Sequence, residues 1–72
     1  MKVTVEQTEK LFSEGDVKFN SLVFSFLVTH LKKMHAKSPA VNSLENCTAA
    51  INTFLEKYTD SMAADYEIFA KL

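Results

Sequence analysis

Residues 42–72 read NSLENCTAAINTFLEKYTDSMAADYEIFAKL, and the way this stretch divides decides the fold. At 100° per residue, Leu44, Cys47, Ile51, Phe54, Leu55, Tyr58, Met62, Tyr66, Phe69 and Leu72 fall in one stripe about 120° wide, and its phase survives the polar triplet Thr59-Asp60-Ser61. No glycine or proline interrupts it. The pattern predicts one long third helix running to Leu72, opened by Asn42 with Glu45 three residues on in a capping box. The alternative is a break near Asp60, where Thr59 or Asp60 could cap a fourth helix, though neither has an acidic or amide residue three positions later.

The choice bears on assembly. An unbroken helix over residues 43–72 would span about 45 Å at 1.5 Å per residue. A compact globule of this length has a radius of gyration near 11 Å, or a diameter of roughly 29 Å. One chain cannot cover such a stripe, so an unbroken helix implies a second chain along the overhang. A helix broken near Asp60 folds back into a four-helix bundle instead.

Upstream, Lys37 to Val41 reads as a loop with Ser38-Pro39 as its breaker. Before it, a second helix is expected from Val17 to about Ala36. Phe19, Phe26, Val23, Met34, Leu27, Leu31, Phe24 and Val28 spread there over roughly 180°, wider than the ~100° stripe of an ordinary surface helix. Contact on two sides follows. Ser21, Lys32, Ser25, Lys18, Thr29 and Lys33 form the solvated face, and Lys32, Lys33 and Lys37 complement the dipole at the C-terminal end. The first helix is expected from Val5 to Glu14, capped by the Thr4/Gln7 box, with Gly15 as a left-handed C-terminal cap and Asp16 capping the next helix. A short strand over Lys2 to Val5 is the lesser alternative.

Composition agrees with helices throughout. One glycine and one proline in 72 residues are too few for the turns of a small sandwich or barrel. A hydrophobic content of 47%, with six Phe, suits a folded core and not a disordered chain. The fold class is therefore all-α, a single helical domain over residues 1–72 of three helices, or four if the third breaks, in a dimeric helical bundle. A core this small rarely supplies more than roughly 3–5 kcal/mol. The single Cys47 cannot close an intramolecular disulfide, and beside His30 and His35 it makes no zinc cluster. Oligomerisation is the remaining staple.

Several function classes recede on the same grounds. A net charge of −1 and eight lysines with no arginine argue against nucleic acid, since arginine supplies the commonest specific base contact. A small nucleic-acid-binding transcriptional regulator, with Lys32, Lys33 and Lys37 on phosphate, is the runner-up. No apolar run approaches the ~20 residues that span a bilayer, and Met1 to Lys10 has no signal-peptide character, so no membrane association and a cytoplasmic location are expected. His30 and His35, five apart, point about 140° apart on a helix, unlike a zinc-gripping i, i+4 pair. His30 reads as a histidine at the core edge, hydrogen-bonded to a neighbour. Asn20, in the apolar arc, could fix register in an interface. Cys47 lies on the apolar stripe as a packing residue, and no catalytic residue, cofactor or metal ligand is assigned. The tripeptide Asp60-Ser61-Met62 resembles that of acyl carrier proteins, and Leu27-Val28-Thr29-His30 with Met34 is similar to a helix of colicin-nuclease immunity proteins. Those likenesses cover three and about eight residues and assign no family.

The sequence thus predicts a non-enzymatic helical protein acting through protein–protein interaction, as a homodimer and/or with a heterologous partner, in an adaptor, inhibitor or immunity-type role. Phe19, Phe26, Leu27, Ile51, Phe54, Leu55, Tyr58, Met62, Tyr66 and Phe69 are the core or interface candidates. Tyr58, Tyr66 and Phe69 are the ones expected to face a partner, because aromatic side chains near the chain end give contact area at low entropic cost.

Overall fold

The structure, a computed structural model, describes residues 2–15, 17–58 and 62–72. Among the described residues four helices follow one another, α1 (Val5–Ser13), α2 (Leu22–Lys37), α3 (Leu44–Lys57) and α4 (Ala63–Ala70), and there is no strand. Helices α1 and α2 both pack on α3.

Helix α1 begins as its sequence dictates. Thr4 Oγ1 accepts from the Gln7 N–H at 3.1 Å while Gln7 Oε1 accepts from the Thr4 N–H at 2.9 Å, closing the capping box. Its end differs from expectation. The chain leaves through an extended Glu14, and neither Gly15 nor any other described residue has positive φ, so Gly15 is no left-handed cap. With the backbone already extended at Glu14, no left-handed reversal is required. Asp16, expected to cap the next helix, lies outside the described residues.

Helix α2 starts five residues later than the periodicity suggested, at Leu22. Two serines and a distant carboxylate explain the delay. Ser21 Oγ caps the helix by accepting from the Phe24 N–H at 3.1 Å, and Ser25 Oγ accepts from the Phe19 N–H at 3.2 Å. Asp65 of α4 then takes the Asn20 and Ser21 N–H groups at 2.6 and 3.3 Å. With their donors so engaged, residues 19–21 stay non-helical, yet Phe19 is buried against Phe24 and Phe69, ring centroids 4.7 and 5.3 Å away. The wide arc of α2 divides accordingly. Phe24 and Val28 enter the core, Leu27 and Leu31 are half-buried, and Leu22, Val23 and Phe26 face outward.

At the next junction Ser43, not Asn42, caps α3, accepting from the Asn46 N–H at 3.2 Å. Asn42 serves the preceding helix instead, its Nδ2 donating to the Met34 carbonyl at 3.3 Å. Helix α3 then ends at Lys57 with a non-helical Tyr58, and α4 begins at Ala63. The unbroken helix to Leu72 is therefore overturned and the four-helix division holds, although Thr59, Asp60 and Ser61 themselves lie outside the described residues. The physical reason is burial within one chain. Met62, Tyr66 and Phe69 are all buried, and the molecule measures 32 × 23 × 20 Å with a radius of gyration of 11.2 Å, too small to cover a 30-residue helix. The overhang that implied a second chain is gone.

Phe24, Ile51, Leu55 and Phe69 anchor the core, and polar pins hold its edges. Asn52 accepts from the Val3 N–H at 2.8 Å and donates to the Val3 carbonyl at 3.0 Å, seating buried Val3. The buried Thr48 hydroxyl donates to Thr8 Oγ1 at 2.6 Å, and Thr8 donates on to the Thr4 carbonyl at 3.2 Å.

Candidate functional site

The sequence candidates separate into two sets. Phe19, Ile51, Leu55, Met62, Tyr66 and Phe69 are buried, so Tyr66 and Phe69 are core residues and offer no surface to a partner. Leu27 and Phe54 are half-buried and packed against the core. Tyr58, at 48% exposure, and Phe26, at 71%, are the two that reach solvent.

Those two belong to one apolar face. Leu22, Val23 and Phe26 are exposed on the first turns of α2, spaced so that all three lie within about 100° of helix surface. Beside them a groove of about 240 Å³ is lined, among the described residues, by Ser21, Val23, Phe54, Tyr58 and Met62. Its walls are fixed from beneath. Tyr58 packs on Phe54 with centroids 4.9 Å apart, Phe54 stacks on fully buried Phe24 at 5.5 Å, and Phe24 meets Phe69 at 5.9 Å. An aromatic row thus runs from the core to the surface and makes the groove a preformed feature.

The α2 side of the face is without fixed charge. From Leu22 to Leu31 helix α2 carries no Asp, Glu, Lys or Arg, and its lysines begin at Lys32. The Ser21 hydroxyl oxygen accepts from the Phe24 N–H. What the groove offers is mostly apolar, from Val23, Phe54, Tyr58 and Met62, with Ser21 beside them, a lining suited to an apolar side chain.

Other singled-out residues take different places. His30 is exposed, not at the core edge. His35 is half-buried, its Nδ1 2.7 Å from the Asn42 carbonyl and its ring 5.7 Å from Phe12, where it helps seat the loop between α2 and α3. Asn20 is exposed and precedes α2. Cys47 is buried, with Sγ 3.9 Å from the Leu31 carbonyl and 3.7 Å from that of Asn42, and burial pushes its thiol pKa up. Among the described residues no group of three or more His, Cys, Asp and Glu side chains could hold a metal, and no helix is long and apolar enough to cross a membrane.

Two features of this face carried no mark in the sequence. Asp65, 1% exposed, reads as one acidic residue in an alanine-rich turn, and only its docking on residues 20 and 21 reveals its part in shaping the face. The outward ribbon Leu22/Phe26 was hidden because Phe24/Val28 forms an equal i, i+4 ribbon about 200° round the same helix. No protein-family model matches the chain, and no curated protein or solved structure matches it significantly.

Proposed function

We propose that the chain works by protein–protein interaction, as a homodimer, through the face formed by Leu22, Val23 and Phe26 of α2 and the groove beside them. The supporting observation is the exposure of three large apolar side chains together, at 72, 62 and 71%, against a preformed aromatic groove. Single exposed hydrophobic residues are ordinary; a contiguous patch beside a pocket marks an interaction site. A short domain gains from such a partner as well, because a second copy covers apolar surface that its own small core leaves in water.

The face is small. Specific interfaces at the small end, below ~1,200 Å², associate weakly and reversibly. Sedimentation at tens to hundreds of micromolar is therefore the test. A species of twice 8.1 kDa that dissociates on dilution is expected. A chain that sediments at 8.1 kDa throughout and still unfolds cooperatively removes the homodimer.

A further inference from the structure

We propose that each copy inserts its Phe26 ring into the groove of a second copy, between Val23, Phe54, Tyr58 and Met62, so that two reciprocal ring-in-groove contacts close the dimer across a two-fold axis. This rests on the reading of the α2 face as a protein interface and names what fills it. Phe26 is 71% exposed and joins none of the ring pairs among the described residues. Its own groove is closed to it. Phe26 lies one turn past Val23, displaced by about 4.5 Å along α2 and about 60° around it, and its ring points to solvent.

Size and symmetry both select a second copy. The groove of about 240 Å³ exceeds the roughly 150 Å³ that holds a benzene ring, so a benzyl side chain enters with room to meet the Phe54 and Tyr58 rings. Ring and groove are neighbours on one face of one chain. A protrusion and its receptor set side by side form an isologous contact that closes on itself, whereas the same pair on opposite faces would run on as a filament.

Along α2, charge raises no obstacle. The apposed turns, residues 22–31, contain no residue of fixed charge, and the chain carries a net charge of −1. With α2 antiparallel to its copy and the axis between Val23 and Phe26, the two Lys33 side chains sit more than about 20 Å apart along the helices, beyond the ~8 Å Debye length at physiological salt.

The test is complementation between two variants, Phe26→Ala, which removes the ring, and Val23→Lys, which puts a charge in the groove. Both sites are exposed, so far-UV circular dichroism should match the wild type. Each variant alone is expected to dimerise at least tenfold more weakly than wild type. An equimolar mixture should form a heterodimer by native mass spectrometry, weaker than the wild-type dimer but stronger than either variant homodimer, because the Phe26→Ala chain keeps an open groove and the Val23→Lys chain keeps its ring, which restores one of the two contacts. A wild-type dimer that Phe26→Ala leaves intact, or a mixture without heterodimer, overturns the reciprocal insertion while leaving association standing. A wild type that stays monomeric removes both. If that monomer binds N-acetylphenylalaninamide at Val23 and Tyr58 by NMR, the groove belongs to a different protein and the second copy is overturned as its occupant.

Discussion

Replacing Asp65 should unseat α4 from the start of α2, and the structure sets the size of the effect. The side chain is 1% exposed and accepts from Asn20 at 2.6 Å and from Ser21 at 3.3 Å. A hydrogen bond to a carboxylate contributes about 1.5–3 kcal/mol. The shorter contact deserves that figure, while the longer one lies past the usual N–H···O range and contributes less. Both amides are only partly buried, so water recovers some of the loss once the carboxylate is gone. Asp65→Ala should therefore cost about 2–4 kcal/mol, a large share of the roughly 3–5 kcal/mol a domain this small commands. Asp65→Asn keeps the shape but presents one acceptor oxygen to two donors, and should cost about 1–2 kcal/mol. Exposed Glu67→Ala on the same helix is the control, expected within about 0.5 kcal/mol of wild type. Urea titration followed by circular dichroism reads these values, with a midpoint shift of about 2 M for 2 kcal/mol at a slope near 1 kcal/mol/M. Hydrogen exchange at the Asn20 and Ser21 amides locates the change. If Asp65→Ala unfolds at the midpoint of Glu67→Ala with both amides still protected, the carboxylate does not hold the junction.

Gly15→Ala should stabilise by about 0.4–1 kcal/mol, since an added Cβ meets nothing within 4 Å and the backbone does not have positive φ, leaving only the entropy removed from the unfolded chain; a lower urea midpoint would contradict this. In the hydroxyl relay, Thr8→Val strips the acceptor from the buried Thr48 donor and should cost about 1–3 kcal/mol, whereas Thr48→Val leaves Thr8 its bond to Thr4 and should cost less. The double Thr8→Val/Thr48→Val variant should lose less than the two singles summed, and strict additivity would argue against the relay. Cys47 should resist iodoacetamide in the folded state and react at the rate of unfolding, because burial keeps the thiol protonated. As pH rises through the ordinary thiol range near about 8.5, the unfolded chain loses this proton while the folded chain retains it, so the Cys47 contribution to stability falls with rising pH; a Cys47→Ala variant with the same pH slope as wild type would refute it.

What was legible in the sequence was local. The Thr4/Gln7 box closes within three residues, and the structure reproduces it. The all-helical class follows from composition, which needs no knowledge of partners across the fold. The division of residues 42–72 was not decidable from periodicity, because a stripe that keeps phase from Ile51 through Tyr58 to Phe69 looks the same whether one helix carries it or two segments each bury it from a different direction. The mismatch between a helix of about 45 Å and a globule of this size held the correct answer as one branch, and burial of Met62, Tyr66 and Phe69 in the same chain selects it.

The outward face was illegible for a related reason. Helix α2 carries two apolar ribbons, Phe24/Val28 and Leu22/Phe26, and composition ranks neither above the other. Non-local contacts settle which one turns inward. Asp65 holds residues 20 and 21 out of the helix from a position more than 40 residues along the chain, Ser21 then fixes the first turn, and Phe24 docks between Phe19, Phe54 and Phe69. Phe26, two residues on, is left in solvent by the same registration. Core and interface candidates of one helix are thus separated by a carboxylate on another. Loosening Asp65 should accordingly weaken the proposed self-association as well as stability, since the turn that presents Leu22, Val23 and Phe26 is the one this carboxylate sets in place.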